Sequence, residues 1–155
     1  MIHQNLLHVG VCTLEPLRVV FRQCIFRSHA RNHDSCIRET FQFLREWLIC
    51  MGLNPAELLH VGIPVLEDNH LVAYTCCMEY PLPFLDEASQ VSLGELPGGR
   101  YAVMRVEKTP AIIRTSIRQF NSVYVPENGL VQDEHRPVYE IYYEHTMEYC
   151  LPIIE

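Results

Sequence analysis

The sequence predicts an α+β fold: two strand–helix–strand–strand modules forming an antiparallel sheet, with both helices on one face and a groove between them. Three observations carry this expectation. The apolar periodicity switches from 2 to 3.6 and back, twice along the 155 residues. A glycine ends both helical runs at corresponding places, Gly52 and Gly129. One gapless shift of 77 residues lays the first half on the second.

In the first module, Arg18–Arg27 (RVVFRQCIFR) is rich in β-branched and aromatic residues and reads as a strand. The polar stretch SHARNHDS follows and offers Asn32, Asp34 or Ser35 as a helix N-cap. Ile37, Phe41, Leu44 and Leu48 then recur at helical spacing, with Phe43 and Trp47 widening the stripe. Gly52-Leu53-Asn54-Pro55 ends that helix. Strands at Leu58–Leu66 and Leu71–Tyr80 flank the turn Glu67-Asp68-Asn69-His70.

The second module repeats the order. Gly99–Glu107 (GRYAVMRVE) reads as a strand, and Thr109-Pro110 as an N-cap followed by Pro at the first helical position. Ile113, Ile117, Phe120 and Tyr124 form the buried stripe, Pro126 to Gly129 ends the helix, and strands at Pro137–Tyr143 and Tyr149–Ile154 follow. The shift of 77 sets Phe43 on Phe120, Trp47 on Tyr124, Gly52 on Gly129, Leu53 on Leu130 and Val61 on Val138. Residues 1–155 are therefore read as one domain with repeats at about 14–80 and 99–154, joined by a connector at 81–98.

Net charge is −7, but residues 1–50 carry six Arg against four acids, and the remainder six bases against fifteen acids. Such an acidic chain gains nothing from counterion release on DNA, so nucleic acid is not an expected partner. The N-terminus lacks the basic-then-apolar order of a signal peptide, and no run is apolar over the roughly 18 residues that a membrane span requires. The seven cysteines lack Cys-x-x-Cys spacing, which points to reduced thiols and a cytoplasmic location. His29-x-x-x-His33, beside Asp34 and Cys36, straddles a loop and a helix start and reads as surface histidines. No nucleophile elbow, P-loop or dinucleotide fingerprint is present, and no metal or cofactor is expected.

Glu140 breaks the repeat. The shift of 77 sets it on Ile63, in the middle of Arg136-Pro-Val-Tyr-Glu-Ile-Tyr-Tyr. Strand alternation puts Val138, Glu140 and Tyr142 on one face, expected to look toward the helices. A carboxylate there is costly unless paired, hydrogen-bonded or protonated, and a ligand cation supplies a partner. The alternatives are a solvated strand residue and a structural ion pair with Arg105 or Arg100.

Leu96-Pro-Gly-Gly-Arg-Tyr-Ala-Val-Met-Arg-Val, Tyr124-Val-Pro-Glu-Asn-Gly-Leu and Arg136-Pro-Val-Tyr-Glu-Ile-Tyr resemble the GyrI-like effector-binding family, which includes DNA gyrase inhibitory proteins and ligand domains of AraC- and MerR-type regulators. Phe43-Leu-Arg-Glu-Trp and Gly62-Ile63-Pro64 fit the same pattern. The resemblance implies paired modules around a pocket for organic, often cationic, compounds. Its pocket glutamate corresponds to Glu140 and its wall aromatics to Trp47, Tyr101, Phe120, Tyr142 and Tyr80. Ser28-His29-Ala30-Arg31 departs from the His-x-Gly-Pro-like loop of many members.

The two modules leave no residues for a helix-turn-helix, so the expectation is an effector-binding protein that does not itself touch DNA, as a monomer or a homodimer paired through strand edges at Arg18–Arg27 or Gly99–Glu107. Two other readings stay open. One is hydrolysis of strained electrophiles, with Glu140 as acid or base and Tyr142 or Tyr101 as hydrogen-bond donor. The other is inhibition of a protein partner such as gyrase.

Overall fold

A computed structural model describes residues 6–26, 33–85 and 90–154. Its elements, in chain order, are β1 (Leu6–Leu14), β2 (Leu17–Ile25), α1 (His33–Cys50), a 3-10 turn (Pro55–Glu57), β3 (His60–Glu67), β4 (His70–Glu79), β5 (Ser92–Leu96), β6 (Gly99–Glu107), α2 (Pro110–Gln119), a π-helical turn (Phe120–Tyr124), α3 (Val125–Glu127), β7 (Tyr139–Tyr142) and β8 (Thr146–Pro152). They fall into two compact units, one of residues 17–96, the other of 1–16 with 97–155. No helix among the described residues is long and apolar enough to cross a membrane.

In the unit of residues 17–96 the strand order is β3-β4-β2-β5, antiparallel throughout. The β3–β4 hairpin turns at Asp68 and Asn69, both at positive φ, as a two-residue turn matched to strand twist requires. Helix α1 lies on the face carrying Cys24 and Cys76: Cys24 Sγ is 3.0 Å from Thr40 Oγ1, and Cys76 Sγ is 3.9 Å from the Ile37 carbonyl oxygen. Phe41, Leu44 and Leu48, spaced at helical intervals, are the buried stripe of α1. Gly62 on β3 leaves the space that the Tyr74 ring fills; a Cβ there would collide with the Tyr74 hydroxyl.

In the other unit the order is β1-β6-β8-β7, again antiparallel. Ala102, Met104 and Val106 from β6 and Met147, Tyr149 and Leu151 from β8 form its core with Phe120 and Val125, against which Ile113, Ile117, Tyr124, Val138 and Tyr142 pack. Alternate residues of antiparallel strands thus face the helices, as period 2 demands.

Helix α1 spans His33–Cys50, and the helical run from α2 through α3 spans Pro110–Glu127, an offset of 77 at both ends. Gly52 and Gly129 follow the two runs at φ +83° and +64°. Each closes a six-residue C-terminal loop, Leu53 N donating to Leu48 O and Leu130 N to Val125 O, both at 3.0 Å.

The offset slips by one in the strands. Ile63 pairs with Thr75, which pairs with Gln23 on the face turned away from α1, whereas Glu140 shares the helix-facing side of the strands of its own unit. In facing, Glu140 corresponds to Gly62 or Pro64, and the comparison with Ile63 does not hold.

Other differences concern strands and caps. β1, and β5 inside the stretch read as a connector, flank β6 and β2, so neither Arg18–Arg27 nor Gly99–Glu107 is an edge. Gly10 and Gly94 interrupt the alternation that would have marked the two strands. Thr109 N-caps α2 without a side-chain hydrogen bond; its carbonyl accepts from Ile113 N at 2.8 Å. Asp34 and Ser35 lie in the first turn of α1, and Asn32 is outside the described residues, as is His29 of the histidine pair.

Candidate functional site

The helix-facing side of β7 and β8 gathers a carboxylate and a set of phenol rings. Glu140 is half-buried between Val138 and Tyr142 on that side of β7 and lies directly opposite Tyr149 of β8. Tyr142 Oη donates to Glu140 Oε1 at 3.0 Å. The phenol of Tyr149 is pushed up from its ordinary range, first by burial and also by the charge of Glu140 on the paired strand. Asn121 Nδ2 donates to Tyr149 Oη at 3.3 Å and offsets part of that rise.

The π-helical turn packs over the same side of the sheet, against Tyr149. A π-turn adds a residue to the helical cycle and re-aims the side chains that follow, a device common at binding sites. Here it carries Phe120, Asn121 and Tyr124. The Phe120 ring is fully buried, stacks on Tyr124 at a centroid distance of 5.1 Å, and meets Tyr149 edge-to-face at 5.8 Å. A carboxylate beside the faces and edges of aromatic rings is suited to a cation with apolar substituents, because charge attraction and ring quadrupole act together.

Of the residues singled out in the sequence, Glu140, Tyr142 and Phe120 therefore lie on one side of one sheet. Tyr101 does not join them. It lies on the opposite face of β6, 0% exposed, stacked on Tyr139 at 5.2 Å and donating to Pro137 O at 3.2 Å. Trp47 and Tyr80 belong to the other unit, where their rings meet at 5.9 Å and Tyr80 Oη donates to Phe84 O at 2.7 Å. Arg105 is directed to Glu148, 3.4 Å away, and lies over the Tyr143 ring; both contacts are on the face away from Glu140. Sequence reasoning missed Tyr149 and Asn121. Tyr149 was legible as the cross-strand neighbour of Glu140 once the hairpin register is counted through the turn; Asn121 depends on the π-turn, for which the sequence carries no signal.

Tyr101 is held by a clamp. Arg136 lies over its ring, its guanidinium carbon 5.0 Å from the centroid, donates to Gly98 O, Arg100 O and Ile153 O, and pairs with Asp133 at 2.8 Å. The hydrogen bond from Arg136, followed by that from His135 N–H, holds the Asp133 carboxyl below its usual range. A carboxylate lowered on folding contributes stability above its unfolded value, near 3.8, that is lost as pH falls through the folded value. Acid unfolding followed by circular dichroism is expected to show part of its pH dependence below about pH 4 abolished in Arg136→Gln. An unchanged acid limb would remove the pair from that role.

Among the described residues no group of three His, Cys, Asp or Glu has the arrangement to hold a metal ion.

The model of the GyrI-like small molecule binding domain matches residues 8–154. Among curated proteins no relative matches. Of solved structures, SAV2435 bound to tetraphenylphosphonium is similar with a TM-score of 0.61 at 14% identity, over 96% of this chain and 94% of that one. EcmrR in a complex with DNA is similar with a TM-score of 0.74 at 12% identity, over 96% of this chain and 57% of that one. A hydrolase from Listeria innocua has a TM-score of 0.62 at 11% identity, over 94% and 91%. At these identities the likeness is one of fold, and it agrees with the sequence match. The chain belongs to the GyrI-like small-molecule-binding domain family.

Proposed function

We propose that this domain binds hydrophobic organic cations, with the Glu140 carboxylate as counter-charge and Tyr142, Tyr149 and Phe120 as the aromatic surround. The observation that carries the reading is the position of Glu140: half-buried, on the helix-facing side of its sheet, oriented by the Tyr142 hydroxyl and set against Tyr149. The tetraphenylphosphonium bound by a protein of the same fold is a ligand of this class and supports it.

A ligand that binds only the folded state raises stability by mass action, by about 2.7 kcal/mol at a hundred times its Kd. Tetraphenylphosphonium is expected to raise the melting temperature in a concentration-dependent way, and a neutral tetraphenyl compound to do so far less. Equal shifts for both, or none for either, would reject the reading.

A second reading is favoured by the Tyr142–Glu140 hydrogen bond, which pairs a proton donor with a carboxylate at 3.0 Å, and by the hydrolase among proteins of this fold. In it Glu140 acts as acid or base on a strained electrophile. Turnover of such a compound, lost in both Glu140→Gln and Tyr142→Phe, is the expected result; binding without turnover contradicts it.

A further inference from the structure

In the unit of residues 1–16 and 97–155, the segments that lead into β6 and β7 are tied to each other on the face turned away from Glu140. Tyr139 Oη donates to Pro97 O at 2.6 Å, and Tyr101 Oη donates to Pro137 O at 3.2 Å. The two rings stack with centroids 5.2 Å apart. Each phenol thus bonds to the backbone that enters the other's strand. β6 and β7 are not neighbours: β8 runs between them, pairing Pro152 with Tyr101 and Cys150 with Tyr139. The linkage therefore spans a whole strand. Arg136 reinforces it by donating to Gly98 O at 3.1 Å, and Gly99, at φ +121°, leaves the guanidinium the space that a Cβ would take.

We infer that Tyr139 is a positioning residue for the cation site: its hydroxyl, anchored on Pro97, fixes the phase of β7 and so holds Glu140 on the helix-facing side. The inference rests on the reading that Glu140 is the counter-charge of the ligand. β7 has four residues and pairs with β8 through four residue pairs. A ladder this short holds its strand weakly, and a slip of one residue would turn Glu140 to the other face. Tyr139 and Glu140 are consecutive, so their side chains point to opposite faces of the strand. Fixing one fixes the other, and Tyr139 acts on the site through the backbone.

Tyr143, on the same face beyond the other end of β7, does not do this. Its hydroxyl donates to Glu148 Oε1 at 2.6 Å, but Glu148 belongs to β8, with which β7 already pairs. That bond closes the hairpin on itself, whereas the bond from Tyr139 sets the hairpin against β6. Tyr139 is also only 4% exposed, so water does not readily replace its hydrogen bond to Pro97 once the hydroxyl is lost. Tyr142 orients the carboxylate, and Tyr139 places the residue that bears it.

Tyr139→Phe keeps the ring stacked on Tyr101 and deletes only the hydroxyl. In the full chain it is expected to weaken tetraphenylphosphonium binding about three- to tenfold, and binding of the neutral tetraphenyl compound by less than about twofold. In a Glu140→Gln background the same substitution should weaken tetraphenylphosphonium by less than about twofold, because the charge that it positions is gone. Isothermal titration of the four proteins completes the cycle. Tyr101→Phe removes the reciprocal hydrogen bond to Pro137 O; it should repeat the pattern, and it carries the test should Tyr139→Phe fold poorly. A merely structural role would lower the melting temperature and weaken both ligands alike. That outcome, equal losses in both backgrounds, or undiminished tetraphenylphosphonium binding in Tyr139→Phe overturns the inference and leaves Glu140 as the counter-charge. If Glu140→Gln alone leaves tetraphenylphosphonium binding unchanged, the binding reading itself fails and the inference falls with it.

Discussion

Glu140→Gln is expected to weaken tetraphenylphosphonium binding by about 10- to 100-fold while changing the affinity of a neutral aromatic of equal size by less than about threefold. Glutamine keeps the shape of the side chain and an acceptor for the Tyr142 hydroxyl, which donates to Glu140 Oε1 at 3.0 Å. The substitution therefore removes the charge and little else. The factor is modest for a lost counter-charge because Glu140 is only half-buried, and water screens part of the attraction. Rings at the site contribute cation–π attraction in both proteins, so binding is weakened rather than abolished. Isothermal titration of both ligands into both proteins, at fixed pH and salt, separates the terms. Equal losses for the two ligands would mean that Glu140 contributes shape or hydrogen bonding and not charge.

Phe120→Ala is expected to cost about 3–5 kcal/mol of folding stability, the usual range for truncating a buried aromatic ring. Phe120 is fully buried, stacked on Tyr124 and edge-on to Tyr149, and it begins the π-helical turn. Its removal leaves a cavity where α2, the turn and β8 meet. Such a loss is a large fraction of the total stability of a small domain. Urea unfolding measures it directly. Phe120→Leu fills most of the volume and should cost much less. A loss below about 1 kcal/mol in Phe120→Ala would show that the site collapses around the deletion, and the ring would not be the rigid neighbour of Tyr149 described above.

The helical parts of the fold were legible because they follow a single rule. Ile113, Ile117, Phe120 and Tyr124 recur at helical spacing, and a glycine needing positive φ stands after each helical run, at Gly52 and Gly129. The strands were less legible. β1 and β5 each contain a glycine and are short of alternating residues, so pattern alone reads them as loop. The period of 2 also makes a strand unforgiving: a slip of one residue reverses every facing, and the gapless shift that aligned the helices set Glu140 on Ile63, which faces the other way. Strand alternation within the segment nevertheless put Glu140 and Tyr142 on the same side. The facing of Tyr101 depends on the register of β6, which puts its ring on the side away from Glu140, in the clamp made by Arg136.

The claim on which the functional reading stands is that the Glu140 carboxylate faces the bound cation. A crystal structure of the protein with tetraphenylphosphonium tests it most directly. The reading predicts the phosphonium on the helix-facing side of β7, with Glu140 as the nearest charged group and phenyl rings against Tyr142 and Tyr149. A phosphonium bound without contact to Glu140, or lying on the Tyr101 face of the sheet, would contradict it.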